Sequence, residues 1–568
     1  MAMSSADAAP PGYPWRFRFV VCLVLILALV LCWRIIELQV VDKAFLRQQG
    51  DARSLRYWSK PAPRGVITDR AGQPLAVSTP MVSLWADMRE LATETPKWPV
   101  LAQALEIPPA ELETRLSHNP RKAFFYLRRR LSPEQAGQVL QVVQQQHIKG
   151  IYSLEESRRF YPAGAIAAHV VGFTDIDNKG SEGLELAYDQ SLRGVSGKQQ
   201  VIKDRRGQVI QDLGVTSPAR PGQGLALSLD MRLQYFASHE LEKAVVDNGA
   251  DAGSVVILDV ETGELLALAN YPTYNPNNRA HASPAAMRNR ALVDVFEPAS
   301  TIKPFSVAAA LQTGRWKASD TVLVKSGSLK VGKFTIRDAS RTAGERLDMT
   351  GILVRSSNVA ISQVAFDIGG ETIHDLLQRV GLGEATGLGF PGERSGVLPS
   401  RRQWRPTETA ALSYGYGVSV TAVQLAKAYA TLVNSGRQVP VSLLRVLKPP
   451  VATQVMPAEV ADALTHMLVQ VVEAPRGIYR AKVQGYHVGG KSGTARKPSA
   501  TSKGYQSNSY RAMFAGFAPA DAPKFVVVVM IDNPTKHGFF GGLVSAPVFS
   551  KVMAQALRLY NIAPDNLR

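Results

Sequence analysis

Three short patterns in the 568-residue chain bring together side chains that can do covalent chemistry. Ser300-Thr301-Ile302-Lys303 sets a hydroxyl and an amine one helical turn apart, on one helix face. Ser356-Ser357-Asn358 adds a second hydroxyl and a carboxamide, and Lys491-Ser492-Gly493-Thr494 adds a second amine and two more hydroxyls. A serine hydroxyl is a poor nucleophile until a base takes its proton. No Ser–His–Asp pattern is evident among the nine scattered histidines, so the candidate base is Lys303. A lysine of ordinary pKa is protonated at neutral pH. Burial beside Ser300 disfavours that charge, and a second cation at Lys491 disfavours it further. Two lysines in one site then divide the work between a neutral base and a fixed positive charge. Ser356 is a candidate proton relay towards a leaving amine, and Asn358 offers an amide both a donor and an acceptor. Each pattern alone is weak, since small polar triplets usually cap helices; their conjunction, in this order, carries the reading.

Elements must hold these residues in place. Glu297-Pro298-Ala299 reads as a helix start that Val307–Leu311 continues, which leaves Ser300 at the N-terminus, where the dipole favours negative charge. Val488-Gly489-Gly490 before Lys491, and Ala495 after the motif, read as strand, with glycines that admit a second backbone or a substrate. From Gly224 the pattern is α/β: strand Leu225–Leu229, helix Met231–Asp247, and a strand pair Ser254–Val260 and Glu264–Asn270. Near the end, Tyr510–Phe517 and Lys524–Asp532 read as strands, the latter apolar enough to be buried on both faces, and Val548–Tyr560 as a helix. One sheet is therefore expected from the two ends of this module, with a helical insert between them. Earlier, Ile35–Trp58 reads as helix, Arg64–Ala76 as a hairpin about Asp69-Arg70-Ala71-Gly72, and Trp98–Leu105, Pro109–Leu116 and Pro133–Gln146 as helices. Turn residues around Asp204–Val215 and Pro218–Gly224 mark a change of module.

The run Phe19–Trp33 is uncharged and aliphatic, and with Arg18 and Arg34 snorkelling, residues 17–36 are long enough to span a bilayer. No small-residue cleavage site follows it, and bulky Leu31 precedes Cys32 where a lipoprotein signal needs a small residue, so a retained signal-anchor is expected. Cys22 and Cys32, both inside that run, are the only cysteines, which excludes a disulfide framework or Cys-ligated zinc site in the body. Lys and Arg exceed Asp and Glu by 65 to 47, a net charge of +18, nearly all of it beyond the apolar run. On a tethered body that excess points away from nucleic acid. Arg121–Arg130, which interleaves basic and aromatic residues, reads as a solvated helix face or a surface for anionic lipid.

The three motifs in this order resemble those of the penicillin-binding protein and serine β-lactamase superfamily. The likeness extends over essentially the whole chain. The Arg64–Ala76 hairpin, Arg159-Phe160-Tyr161-Pro162, Glu182-Gly183-Leu184-Glu185, Ser413–Thr421, and Gly541-Gly542 before Ala546-Pro547-Val548-Phe549 all look like class B penicillin-binding proteins, the septal transpeptidases of Gram-negative bacteria above all. The resemblance implies an α/β (α+β) multidomain chain. It comprises a cytoplasmic tail (1–16), a transmembrane helix (17–36), an elongated non-catalytic α+β pedestal of the dimerisation type (37–223), and a transpeptidase domain (224–568) on an antiparallel five-stranded sheet flanked by helices. It implies a peptidoglycan D,D-transpeptidase that works through a Ser300 acyl-enzyme, without metal or cofactor, and is a target of β-lactams. The oxyanion hole would be the N–H groups of Ser300 and Thr494. Ser492, Gly493 and Thr494 would take the terminal carboxylate of a D-Ala-D-Ala stem peptide, and Tyr416, Arg496, Tyr510, Phe539 and Phe540 would line the groove. Arg496–Ser509 reads as a flap. The implied setting is the inner membrane, N-terminus cytoplasmic and catalytic domain periplasmic. The implied partners are nascent glycan, a septal membrane glycosyltransferase and other divisome proteins, with the Arg64–Ala76 hairpin coupling the glycosyltransferase to the site.

Competing activities separate on sequence features. A class A β-lactamase carries a Glu-x-x-Leu-Asn segment, and this chain has no Leu-Asn pair. A D,D-carboxypeptidase shares the acylation step and lacks the pedestal, and an elongation-type class B transpeptidase shares all three motifs. A membrane-tethered scaffold would have no use for three complete motifs, and a β-lactam sensor carries further membrane helices.

Overall fold

The computed structural model describes residues 14–203, 209–339, 342–499 and 504–566. Most of the expected cytoplasmic tail, residues 1–13, lies outside them, as do residues 204–208 of the expected turn region. The chain divides into two compact units, Met1–Ala62 with Val195–Arg220, and Pro63–Gly194 with Pro221–Arg568.

In the first unit, Pro14–Ile36 is an unbroken helix with no buried residue, and the span Pro14–Val41 is long and apolar enough to cross a membrane. Two sequence expectations fail here. The helix read through Trp58 stops at Ser54, because Leu55–Lys60 is a strand paired antiparallel with Gly197–Lys203. Val209–Ser217, expected as turns, is the third strand of that sheet. In both places the deciding partner is far away in sequence, and local propensity gives way to pairing.

The second unit opens on the 64–76 hairpin. Asp69 Oδ1 accepts from the N–H groups of Ala71 (2.9 Å) and Gln73 (2.8 Å), so the acid that reads as a turn residue builds the turn. Helices Trp98–Ala104, Pro109–Ser117 and Pro133–Gln145 form as expected and pack on a sheet that includes Pro74–Ala86, Phe125–Leu131 and Ile151–Phe160. The stretch Arg121–Arg130 is no solvated helix face. It enters the strand Phe125–Leu131, where Arg129 pairs with Glu156 (2.9 Å) and Asp177 (3.1 Å), and Arg128 with Glu106 (3.2 Å).

One buried ionic cluster ties three of the motifs together. Glu185, wholly buried, accepts from Arg64 Nε at 2.5 Å and Arg159 Nε at 2.6 Å, while Arg64 Nη1 reaches Asp189 at 2.7 Å. Arg159 also donates to the Gly65 carbonyl (2.7 Å), so one carboxylate fixes two segments about 95 residues apart.

The rest of this unit is built on a five-stranded antiparallel sheet, with strands β1 (Ala252–Asp259), β2 (Leu265–Tyr271), β3 (Gly489–Pro498), β4 (Tyr505–Ala518) and β5 (Phe525–Asp532) in the order β2-β1-β5-β4-β3. The strand expected over Leu225–Leu229 shrinks to Leu225–Ala226 and pairs instead with Ile67–Thr68. β5 is apolar at successive positions because both faces are covered: Val526, Val528 and Met530 enter the core beneath the helical insert, and Val527, Val529 and Ile531 the core beneath the terminal helices. Those helices are Met231–Asp247 and Ala546–Leu559. β3 is an outer strand, so one of its edges is free of sheet pairing.

Removing the central carboxylate leaves the buried Arg159 guanidinium without an acid and Arg64 with Asp189 alone, a loss of about 3–5 kcal/mol. Glu185→Ala is therefore expected to lower Tm by several degrees in a thermal melt of the detergent-solubilised chain. An unchanged melt would show that the cluster does not hold the fold.

Candidate active site

Ser300 lies in a single 3-10 turn, Ala299–Ile302, that feeds directly into α1 (Lys303–Gln312). Pro304 pre-sets the first helical turn, and the Lys303 N–H donates to the Ser300 carbonyl. The turn is clamped from behind, where the fully buried Tyr429 donates its hydroxyl to the Thr301 carbonyl at 2.8 Å. Ala299 has φ +48°, a conformation that costs a residue with a Cβ about 1–2 kcal/mol. Its N–H donates to the Gly415 carbonyl (3.1 Å), and a Cβ on Gly415, itself at φ +81°, would sit 2.2 Å from the Ala299 oxygen. This contact accounts for the glycine in Ser413-Tyr414-Gly415-Tyr416: only a residue without a side chain lets that loop press on the nucleophile turn.

Ser356 is strained in the same sense, with φ +53° at the C-terminal end of α2 (Met349–Arg355). Its neighbour Ser357 caps α3 (Asn358–Ile368), accepting from the Ala360 N–H at 2.9 Å. The capping hydroxyl is thus Ser357, which leaves the Ser356 hydroxyl to the site. Lys303 Nζ donates to the Ser356 carbonyl (2.6 Å) and lies 3.2 Å from Ser356 Oγ; Lys491 Nζ lies 3.1 Å from the same Oγ. Two amines thus converge on one hydroxyl. Both lysines are fully buried. Burial first, and the nearby Lys491 charge second, hold the Lys303 amine well below the ordinary lysine value, with Asp338 opposing. Burial brings Lys491 down to about 7.

Lys491 comes from β3, which runs beside the nucleophile turn. A Cβ on Gly493 would meet the Pro298 carbonyl at 2.8 Å and the Thr301 methyl at 3.0 Å, so this glycine is required for the strand to approach. Ser492, Thr494 and Arg496 alternate onto the opposite, more exposed face of the strand. Thr494 Oγ1 accepts from the Gly541 N–H at 3.1 Å. Asn358 is half-buried, and its Nδ2 already donates to the Arg337 carbonyl (3.0 Å), which leaves its carbonyl oxygen to a ligand.

The aromatic candidates fall into two groups. Tyr510 stacks on Phe539 with centroids 4.0 Å apart, Phe539 packs on Phe540 at 4.6 Å, and the Arg496 guanidinium lies 6.0 Å from the Tyr510 ring. Tyr416 instead meets Tyr505 edge-on at 5.8 Å. None of the four candidate rings is wholly shielded from solvent, and Phe540 is 47% exposed, whereas Tyr416 also packs against the main core. The segment expected as a flap, Arg496–Ser509, is mostly strand: β3 runs to Pro498 and β4 begins at Tyr505, while residues 500–503 lie outside the described residues.

Two carboxylates escaped the sequence reading. Asp338 binds Ser357 Oγ (2.7 Å) and the Val359 N–H (2.9 Å), which sets the Ser-Ser-Asn turn and places a negative charge near Lys303. Glu297 accepts from the Gly417 N–H (2.9 Å) and the Tyr505 hydroxyl (3.0 Å), which opposes the burial that raises its carboxyl. No sequence signal marks either, because each acts on partners that only the fold brings near.

Known proteins match both parts of the chain. The penicillin binding protein transpeptidase domain matches residues 253–554, and the penicillin-binding protein dimerisation domain matches residues 59–227. A probable peptidoglycan D,D-transpeptidase, PbpC of Pseudomonas aeruginosa, is 46% identical over 554 residues, covering 98% of this chain and 97% of its own. The peptidoglycan D,D-transpeptidase FtsI of Escherichia coli K12 is 41% identical over 559 residues, covering 97% and 93%. Among solved structures, penicillin binding protein 3 of Mycobacterium tuberculosis complexed with aztreonam superposes with a TM-score of 0.70 at 26% identity, covering 89% of this chain and 98% of that one.

The two causes acting on Lys303 are separable. Lys491→Met is expected to raise the Lys303 pKa only part of the way to the ordinary value, since burial is the larger cause, and Asp338→Asn to lower it further. Side-chain carbon NMR of lysine against pH reads both; shifts of the opposite sign would refute the arrangement.

Proposed function

This chain belongs to the class B penicillin-binding proteins and is a serine peptidoglycan D,D-transpeptidase, and on that premise we propose that Ser300 is its nucleophile and Lys303 the base. The observation that carries the assignment is the buried amine of Lys303, held low in pKa one turn from Ser300 and against Ser356. Ser300 Oγ attacks the carbonyl carbon of the penultimate D-Ala, and its proton passes to the Lys303 amine. Charge develops on the carbonyl oxygen, where the N–H groups of Ser300 and Thr494 meet it. First-turn amides lack an intrahelical acceptor, and a lost oxyanion donor typically costs about 3 kcal/mol. The C–N bond to the terminal D-Ala then breaks, and its nitrogen regains a proton through Ser356. The amine of a second stem peptide attacks the resulting ester, forming the cross-link and returning the proton to Ser300.

The remaining roles follow the same logic. Lys491 in its charged form, with the hydroxyls of Ser492 and Thr494, attracts the terminal carboxylate of the donor peptide, Gly493 lets the strand close on it, and Asn358 accepts from its amide. Arg496, Tyr510, Phe539 and Phe540 form one wall and Tyr416 the other. The aztreonam complex of the solved relative supports β-lactams as covalent inhibitors here too. We assign the apolar helix to the inner membrane with its N-terminus cytoplasmic, residues 37–223 to a non-catalytic pedestal and residues 224–568 to a periplasmic transpeptidase domain. The likeness to FtsI supports a septal role beside a membrane glycosyltransferase and other divisome proteins, with the 64–76 hairpin as the coupling element.

Three measurements test this reading. Labelled penicillin is expected to add one adduct to the intact chain and none to Ser300→Ala; an adduct that persists in the variant moves the nucleophile elsewhere. The second-order rate of acylation reports free-enzyme pKa values. It should fall on the acid side as Lys303 gains a proton and again above about 7 as Lys491 loses its own, the alkaline limb vanishing in Lys491→Arg. A flat profile would sink the two-lysine scheme. Depletion in cells should give filaments, whereas rounding would transfer the chain to elongation.

A further inference from the structure

Residues 325–337 carry four cations, Lys325, Lys330, Lys333 and Arg337, and no acid. Ser328–Val331 and Phe334–Arg337 pair as an antiparallel ribbon with Ser328 opposite Arg337 and Lys330 opposite Thr335. Paired positions share a face, so Lys330 and Arg337 project from one side and Leu329, Val331 and Ile336 from the other. Val331 and Ile336 are buried, which pins the ribbon by its apolar face and leaves a cationic face turned outward. All four cations are exposed, and among the described residues none is paired with an acid. This sets the ribbon apart from the Arg128–Arg129 stretch, where each charge has a carboxylate partner. At the turn, Phe334 is 68% exposed beside Lys333.

The ribbon is also wired to the reaction centre. The Arg337 carbonyl takes the Asn358 side chain at 3.0 Å, and the next residue, Asp338, holds Ser357 and the start of the following helix. Four strand residues extend about 13 Å, the length of a short peptide lying alongside. The substrate of a peptidoglycan transpeptidase is a polymer whose stem peptides bear free carboxylates besides the one at the scissile end. A row of unpaired, exposed cations on a rigid support beside the site is complementary to that anionic polymer.

We propose that the outward face of the 328–337 ribbon is a docking track for the carboxylates of uncross-linked peptidoglycan flanking the reacting stem peptide. The inference rests on the active-site assignment above, and its test keeps the two apart. The full chain in detergent, as Lys330→Glu/Lys333→Glu and as Lys330→Gln/Lys333→Gln, is titrated with soluble glycan strands bearing pentapeptides, while penicillin acylation is followed in parallel. Affinity for the strands is expected to fall at least five-fold in the Glu pair and less in the Gln pair at about 50 mM salt, with the difference shrinking at about 500 mM as charges are screened. Acylation should stay within about two-fold of the parent, since neither lysine is among the residues assigned to the reaction centre. Unchanged strand affinity overturns the proposal, as does an equal fall in acylation, which would mean that the site itself was disturbed. A loss confined to anionic phosphatidylglycerol vesicles, with strand affinity intact, overturns it in favour of a membrane surface. Absence of any penicillin adduct on the parent chain would instead refute the assignment of Ser300.

Discussion

Two ammonium groups cannot both keep their protons around one buried hydroxyl. Lys303 and Lys491 lie 3.2 and 3.1 Å from Ser356 Oγ, both shielded from water, and the repulsion between like charges at such range is resolved by leaving one of them neutral. This constraint turns an ordinary lysine into a base without a histidine. Burial lowers both amines, and their mutual repulsion falls on whichever of the two protonates last; that is Lys303, held the lower of the pair, while Asp338 limits how far the effect goes.

That electrostatic arrangement needs three chain segments to meet within a few ångströms, and the fold achieves this with strained backbone on two of them. Ala299 and Ser356 both adopt positive φ immediately at the residues whose side chains matter. Such conformations persist only where the surroundings over-determine them. Here the surroundings are the Gly415 loop and Tyr429 for the first, and the abutting ends of two helices, capped by Ser357 and Asp338, for the second. The third segment is an outer strand whose glycine admits the turn. Its inner edge is locked to a sheet buried on both faces, so the position of Lys491 is as firm as the core.

The parts of this arrangement legible in the sequence are those encoded locally. Ser300-x-x-Lys303 shows its spacing within one helical turn, and Lys524–Asp532 shows burial on both faces by its unbroken apolar run. Met231–Asp247 ends where its periodicity does. What the sequence concealed depends on residues brought together from a distance. Asp338 is 35 residues from Lys303, and nothing in its neighbourhood marks it as that lysine's counter-charge. Leu55–Lys60 reads as a continuing helix until its partner strand, some 140 residues on, is known. Arg129 reads as a solvated charge because Glu156 and Asp177 are remote in sequence. The left-handed turn at Ser356 was equally hidden, since serine rarely adopts it and no glycine announces it.

The lysine pair also sets a thermodynamic cost that the rest of the fold must offset. A base whose pKa is lower in the folded chain binds fewer protons there than in the unfolded chain, so stability falls as pH falls between the two values. For Lys491 that window runs from the ordinary lysine value near 10.5 down to about 7, and Lys303 extends it to lower pH. At neutral pH the active centre therefore works against folding. The Glu185 cluster has the opposite composition: two guanidinium groups that cannot shed their protons are matched by two carboxylates, Glu185 between them and Asp189 beside Arg64. Both clusters are buried and ionic, but one is balanced and the other is not. The imbalance is what makes Lys303 available as a proton acceptor, and a chain that neutralised it with a second acid beside Lys303 would gain stability by restoring the ammonium that cannot act as a base.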